Sequence, residues 1–555
     1  TNGKENTRDN KFGNPNGTSD FISASLIQNE NGDVTLSNEA KNVVRDFGND
    51  VIKDMFNTER AYKDVSIEPI EVTPQTFNGF GSRVSKFQAG VVAKQQATAY
   101  ELDKGMSAIL KAFTTSPERR STLVKLLGAV DPSTKLSIRK KSVESINDGI
   151  ARSLSIIERT METTKGKPFY LPHTVWSNMR MGIDSAFNPQ GDKIHRAFSS
   201  LSEERAEIDL NSMAIFTAKN DGSTTSYGNF LRALAFRMDG VKVPGVVNGK
   251  GLDKNTNADF LPKLDEYIHS QPVEDAANAL GRIMNGKEGK GDIKLVQDLI
   301  AEWGDGDVGQ SALTLSALNA IREMHKAERS QSKKFITSVT PESDGTNNGP
   351  AFTHMMMNTL TTGMAKAFGI FRNNPNSIRN LAQYRTIENG KDMYEMLGEV
   401  KELFWAQADV HPDLRAAFDG LDNKFAGRNG AKRDLIPFNY GAGYKAIVKA
   451  NGREFLEGIY DSLESAINDN NPQKVSETVG HINTILKFYN QNHKGKVPLL
   501  NAAAFKDMDL KLPDQVEQAI RSVDTAVRGP VIKDALKEQL SDYIQARDEF
   551  NLASN

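Results

Sequence analysis

Apolar residues recur at helical spacing through most of the chain. Val43, Val44, Phe47, Val51, Ile52 and Met55 predict a helix between Ser37 and about Asn57. The same spacing predicts a long helical stretch from about Arg83 to Phe113 and a shorter one from Pro117 to Leu127. After the turn Asp131-Pro132-Ser133, Ser137 to Thr164 reads as one amphipathic helix, with Ile146, Ile150, Leu154, Ile157 and Met161 on one face. The pattern then changes. Lys167 to Phe198 carries Pro168, Pro172 and Pro189 among aromatic residues, so short strands and turns are expected there. Helical spacing returns from Tyr227 to Met238 and in three more stretches up to about residue 329. The run from Lys334 to Thr340 is β-branched and reads as extended. Beyond it, helices are expected near 355–371, 395–408, 444–467, 472–490 and 513–551, with Phe455, Ile459 and Leu463 facing inward.

Composition narrows the class. At 555 residues, 25% charged and 38% hydrophobic, the chain suits a soluble globular protein with several subdomains. Its 69 Lys and Arg balance 71 Asp and Glu, so a nucleic-acid partner has to be held by local patches. Arg139, Lys140 and Lys141 form one such run, readable as a solvated helix face or as a nucleic-acid contact. There is no cysteine, and no two of the eight histidines have HxxxH or HxH spacing. Any divalent metal is therefore expected on carboxylates. No apolar run approaches the ~20 residues of a membrane span, and the N-terminus lacks the regions of a signal peptide. Residues 1–35, rich in Asn, Gly, Asp, Ser and Thr, read as a disordered or linker-like arm.

Two stretches carry candidate chemistry. In RNGAKRDLIPFNYGAGYK, Arg428, Lys432, Arg433 and Tyr440 stand at offsets 0, 4, 5 and 12, with Gly441 next. On a helix, Lys432 and Tyr440 would lie about 12 Å apart at ~1.5 Å per residue. That span matches the reach from a nucleotide's outer phosphates to its sugar. Pro437 either kinks that helix or ends it before the tyrosine. In PESDGTNNGPAFTHMMM, Asp344-Gly345 follows the extended run and precedes a helical pattern. Asp344 there suits a hard cation, and Gly345 lets a bulky ligand approach the backbone. Each stretch alone has an ordinary structural reading, a basic helix turn and an Asp-Gly turn.

Taken in order, three segments resemble the single-subunit, phage-type RNA polymerases. WSNMRMGIDSAFNPQG is similar to the family's palm segment through Phe187, Asn188, Pro189, Gln190, Gly191 and Arg180, although Met179 and Trp176 replace usual residues. SDGTNNGPAF resembles motif A, with Asp344, Gly345 and Gly349 at the expected offsets. RNGAKRDLIPFNYG resembles motif B, 84 residues downstream of Asp344. Asp221-Gly222-Ser223 also looks like the start of motif A, but it lacks the later glycine and a preceding β-branched strand. The Asn-Asn-Gly-Pro form of motif A and the lack of cysteine look most like the large virion-packaged polymerases of short-tailed phages.

The resemblance implies a mainly α fold with a small β palm (α+β), the right hand of thumb, partial palm and fingers. The expected organisation is an arm over 1–35, an N-terminal helical region over 36–80, thumb-like helices over 81–165, palm with insertions over 166–350 and fingers over 351–555. It implies DNA-directed RNA synthesis with a DNA template, NTPs and an RNA product, in phage early transcription. Asp344 would bind both of two Mg2+ ions. Lys432 would neutralise the triphosphate, Arg428 would clamp it, and Tyr440 would close over the sugar. Arg180 would contact template or hybrid, with Arg433, Gly345, Gly441 and Lys242 as further nucleotide or nucleic-acid contacts. The family's second metal-binding aspartate, in a His-Asp hairpin, has no counterpart after Tyr440; Asp461 and Asp507 or Asp509 lack the pattern. A second polypeptide or segment is therefore expected to carry it, and this chain alone is expected to be inactive. The expected location is the phage virion or the infected host's cytoplasm. The rivals are a DNA polymerase of the same superfamily and a structural or ejection virion protein with vestigial motifs.

Overall fold

The computed structural model describes residues 26–28, 34–36, 64–72, 86–175, 181–203, 205–219, 223–238, 241–246, 257–304, 308–339, 412–421, 432, 457–492, 498–505 and 510. Strands β1 (Leu26–Gln28) and β2 (Val34–Leu36) pair antiparallel, Leu26 opposite Leu36. They lie where the sequence predicts a linker-like arm.

Helix α1 (Lys86–Gln96) is followed by strand β3 (Ala99–Leu102) and helix α2 (Lys104–Phe113). The sequence predicts one helical stretch here, and the structure breaks it. Asp103 supplies the reason: its carboxylate accepts from the Met106 N–H at 2.7 Å, an N-cap that starts a new helix. Helix α3 (Pro117–Leu126) begins on the Ser116 cap with proline in its first turn. Helix α4 (Lys140–Thr164) follows a 3-10 turn and ends on left-handed Lys165 (φ 49°). Its buried stripe is Val143, Ile150, Leu154 and Ile157, whereas Ile146, expected inside, is 41% exposed at the stripe's edge.

Strands β4 (Phe169–Tyr170), β5 (His173–Val175) and β6 (Met181–Ile183) come next, as the prolines predict. Helix α5 (Lys193–Ala197), strands β7 (Ser199–Leu201) and β8 (Ala206–Asp209) and helix α6 (Ser226–Arg237) continue the chain. Four helices follow where three are expected: α7 (Asn257–Ile268), α8 (Gln271–Met284), α9 (Asp292–Gly304) and α10 (Val308–Glu328). The His269-Ser270 break between α7 and α8 is too short to interrupt the apolar pattern. Strand β9 (Lys334–Thr337) and helices α11 (Pro412–Asp419) and α12 (Pro472–Asn492) complete the named elements, and residues 457–468 are also helical. Ile459 and Leu463 are fully buried, as their spacing predicts.

The chain divides into two compact units, residues 1–98 with 169–187, and 99–168 with 188–555. In the first unit, the β5–β6 hairpin pairs His173 with Ile183, and α1 packs on it. Buried Gln96 ties the unit together. Its amide donates to the Ile70 and Glu71 carbonyls, and its oxygen accepts from the His173 N–H at 3.0 Å. The Phe169 and Phe187 rings meet edge to face, centroids 5.5 Å apart.

The second unit is built around α10. Every residue from 310 to 321 is buried, and the helix packs against α2, α3, α5, α6, α8, α9 and β9. A helix buried all round has no single apolar stripe, so its polar positions need internal partners. Gln310 donates to the Arg237 carbonyl at 2.9 Å, and the Arg237 guanidinium donates to the Ser316 hydroxyl at 2.8 Å. Strands β8 and β9 pair antiparallel, from Ala206 opposite Thr337 to Asp209 opposite Lys334.

The basic run at the start of α4 is partly structural. Glu464, 2% exposed, accepts from the Lys135 ammonium (2.8 Å), the Leu136 N–H (3.0 Å) and the Arg139 guanidinium (2.7 Å). Arg139 also pairs with Glu457 at 2.9 Å and Asp461 at 2.8 Å. Lys140 and Lys141 are exposed. Exposure of the two lysines fits either reading of the run, whereas Arg139 is held in a half-buried ion-pair group.

Candidate functional site

Asp344, Gly345, Arg180, Arg428, Arg433, Tyr440 and Gly441 lie outside the described residues, as do the rejected Asp221 and the Asp507 and Asp509 pair. Lys432 is helical and exposed, and Lys242 is exposed on the irregular segment after α6. What the structure describes is the turn of the FNPQG segment and a cleft beside β9.

The Asn188–Gly191 part of the FNPQG segment is a turn held from several sides. The Asn188 side-chain oxygen accepts from the Gln190 and Gly191 N–H groups at 3.0 and 2.9 Å. The Arg196 guanidinium donates to the Pro189 carbonyl at 3.0 Å and to the Gln190 carbonyl at 3.2 Å. Asp192 caps α5 by accepting from the Ile194 N–H at 2.7 Å, and its other oxygen takes the Ser153 hydroxyl of α4 at 2.6 Å. The Asn188 N–H donates into Nδ1 of His195 at 3.1 Å. Burial pushes the His195 imidazole below its ordinary value, and Asp192 opposes that shift. A neutral ring is the form able to accept the Asn188 proton. The turn thus presents Gln190 and Gly191, both exposed, on a rigid base.

The second feature lies beside β9, the strand that leads towards Asp344. A cleft of about 420 Å3 opens along it, lined among others by Lys104, Arg205, Asn319, Arg322 and Ser338. Arg205 forks onto the Glu101 carboxylate. Asp103 has two tasks: one oxygen caps α2, and the other accepts from the Ser338 hydroxyl just after β9. Helix α2 sits close on α10, since a Cβ at Gly105 would lie 2.1 Å from the Asn319 amide nitrogen. The cleft mixes cations with carboxylates that are already paired. It suits recognition of a polar chain better than metal binding.

Sequence reasoning missed the residues that brace these segments. Asp192, His195 and Arg196 follow FNPQG directly, and Asp192 has the N-cap signal before Lys193-Ile194. Asp103 has the same N-cap signal before α2, and Glu464 has no comparable signature.

Two family models match the chain. Residues 88–199 match the Virion DNA-directed RNA polymerase domain, and residues 376–555 match the Bacteriophage N4 RNA polymerase, helical domain. Together they cover a little over half of the chain. The chain belongs to the phage virion RNA polymerase family. No curated protein matches it. Within the chain, the first match runs from α1 through the FNPQG turn to β7, and the second contains Arg428 to Lys445 and α12. The mainly helical build with small sheets, among the described residues, agrees with the expected fold class. No helix of the described residues is long and apolar enough to cross a membrane.

Proposed function

We propose that this chain supplies the template- and nucleotide-binding parts of a DNA-directed RNA polymerase that transfers nucleotides from NTPs to an RNA 3′ end in early phage transcription. The observation that carries this reading is the placement of the two family matches over FNPQG and motif B, with Asp344 between them in the sequence. Asp344, following a β-branched run in a chain without cysteine, is a donor suited to Mg2+. Bound Mg2+ would activate the attacking hydroxyl and stabilise the leaving pyrophosphate. Asp344 holds the ion in this scheme. Lys432 neutralises the triphosphate and protonates the leaving group, and Arg428 clamps phosphate oxygens through two parallel bonds. Tyr440 covers the sugar, with Gly345 and Gly441 giving the nucleotide room. Arg180, Arg433 and Lys242 hold template or phosphate, and the exposed Gln190-Gly191 turn supports the template.

The second metal carboxylate is proposed to come from another polypeptide or segment, since no His-Asp pattern follows Tyr440 in this sequence. The thumb, palm and fingers follow the boundaries given above, and the protein acts in the virion and the infected cell. Binding of a fluorescent ribonucleoside triphosphate to the full chain in Mg2+ tests the reading. Lys432→Ala removes a charged hydrogen bond worth about 1.5–3 kcal/mol, so affinity should fall by roughly 10- to 150-fold. Asp344→Asn should abolish the Mg2+ dependence. Equal binding by wild type and both variants would overturn the assignment, and preference for deoxynucleotides would point to the DNA polymerase rival.

A further inference from the structure

Away from the polymerase motifs, three side chains converge at the ends of two helices. His269 directly follows α7, while His325 and Glu328 stand three residues apart on one face at the end of α10. One ligand atom from each lies within 4.8 Å of the other two. Nε2 of His269 is 2.8 Å from a Glu328 oxygen, and the two imidazole rings are 5.4 Å apart.

Two features separate this group from an ordinary ion pair. First, His325 is 6% exposed, and neither of its ring nitrogens has a hydrogen-bond partner among the described residues. A buried polar atom left unpaired costs about 1–3 kcal/mol, so two on one ring call for an explanation. Second, Nδ1 of His269 bonds the Asp265 carbonyl at 2.7 Å. A proton on Nδ1 held by a carbonyl turns the Nε2 lone pair outward and fixes the ring, which is how histidine ligands are commonly oriented.

The surrounding charges favour a cation. The Asp265 carboxylate lies 3.5 Å from His269 and accepts from the Tyr227 hydroxyl. Glu274 pairs with Arg329 beside the group. The hydrogen bond to Glu328 carries His269 up to about 9, against its burial.

We propose that His269, His325 and Glu328 form a three-ligand site for a divalent transition metal of the Zn2+ class, clamping the end of α7 to the end of α10. Two imidazoles and one carboxylate are a donor set that such ions take with a fourth position left for water. Tetrahedral bonds of ~2.0–2.1 Å separate ligand atoms by roughly 3.3 Å, so each atom here shifts by about 1 Å or less. Metal binding displaces the second proton of His269, opens its bond to Glu328 and satisfies one orphan nitrogen of His325. The site does not depend on the polymerase reading. The sequence signal is H-K-A-E, a histidine and glutamate at i, i+3, which a search for paired histidines passes over.

The test uses the untagged full chain, stripped with a chelator, dialysed and titrated with Zn2+ against a chromogenic competitor. One Zn2+ per chain is expected, with millimolar Mg2+ unable to displace it. His325→Gln and Glu328→Gln should each weaken uptake at least tenfold while leaving the metal-free melting temperature within a few degrees of wild type. Substituted Co2+ should give the visible bands of four-coordination and lose them in His325→Gln. His481→Gln and Asp344→Asn should leave uptake unchanged. No uptake by folded wild type, uptake insensitive to His325→Gln and Glu328→Gln, or displacement by Mg2+ would each overturn the proposal.

Discussion

Replacing Glu464 by alanine should destabilise the second unit by about 3 kcal/mol. Its carboxylate is 2% exposed and receives three donors, from Lys135, Leu136 and Arg139. Breaking a buried ion pair from one side costs about 3–5 kcal/mol, because the abandoned charge stays out of water. The lower end applies here. Arg139 keeps Glu457 and Asp461, both more than 40% exposed, so it is not left alone. The Leu136 N–H adds to the cost, since a buried donor without an acceptor costs about 1–3 kcal/mol. Glu464→Gln separates these parts: it keeps an acceptor for Leu136 and loses only the charge, so its cost should fall between wild type and alanine. Urea unfolding followed by circular dichroism gives the two values. A double-mutant cycle with Arg139→Ala should return a coupling energy of at least ~1 kcal/mol, as groups in direct contact do. A Glu464→Ala cost within ~0.5 kcal/mol of zero, the ordinary surface result, would refute the reasoning. So would vanishing coupling.

Three further outcomes follow from the geometry. Gly105→Ala places a Cβ 2.1 Å from the Asn319 amide and should cost about 1–3 kcal/mol by overpacking, measured by thermal unfolding; Gly149→Ala, with nothing within 4 Å of the added carbon, should not. Arg196→Ala removes both donors to the Pro189 and Gln190 carbonyls and should speed hydrogen exchange at the Gln190 and Gly191 amides, while lowering stability by about 2 kcal/mol. Asp292 is held down at about 2 by the two bonds from Arg282 and one from the Gly289 N–H. Its contribution is whole above the unfolded value of about 3.9 and is lost as the pH falls through about 2. Asp292→Asn should therefore lower the urea midpoint at pH 7 and match wild type near pH 2; a gap independent of pH would contradict this.

Much of the fold was legible because local rules act alone over most of it. The helix from Ser226 follows its Thr225 cap, and the extended run after Lys334 is strand β9. Two kinds of feature were hidden. Strand β3 is four residues long and pairs across 99 residues at Glu101 and Ser200, so a helical pattern absorbs it. Helix α10 was expected as a helix, but its burial on every side was not, since a helix without a single apolar stripe does not show which side faces the core. The motif residues were readable as spacing, whereas their braces were not. Lys135 meets Glu464 across 329 residues, and His269 meets Glu328 across 59. Such pairs are made by the tertiary fold, and a single sequence carries no trace of which acid faces which base. A rule that looks for paired histidines cannot find a group such as His269, His325 and Glu328, because such a group is close in space and only part of it shares a helix.

The all-round burial of α10 has a consequence for how this protein can vary. From Gln310 to Ile321 every residue is buried, so no position there drifts freely. A scan of all substitutions across the second unit should show a twelve-residue gap in tolerance at 310–321, unbroken by the three-to-four-residue rhythm that surface helices show. Helix α4, with a wet face, should show that rhythm. Strand β9, which packs against α10 and leads in sequence to Asp344, thus rests on the least mutable stretch of the described chain, and variation is left to the exposed segments while that stretch stands still.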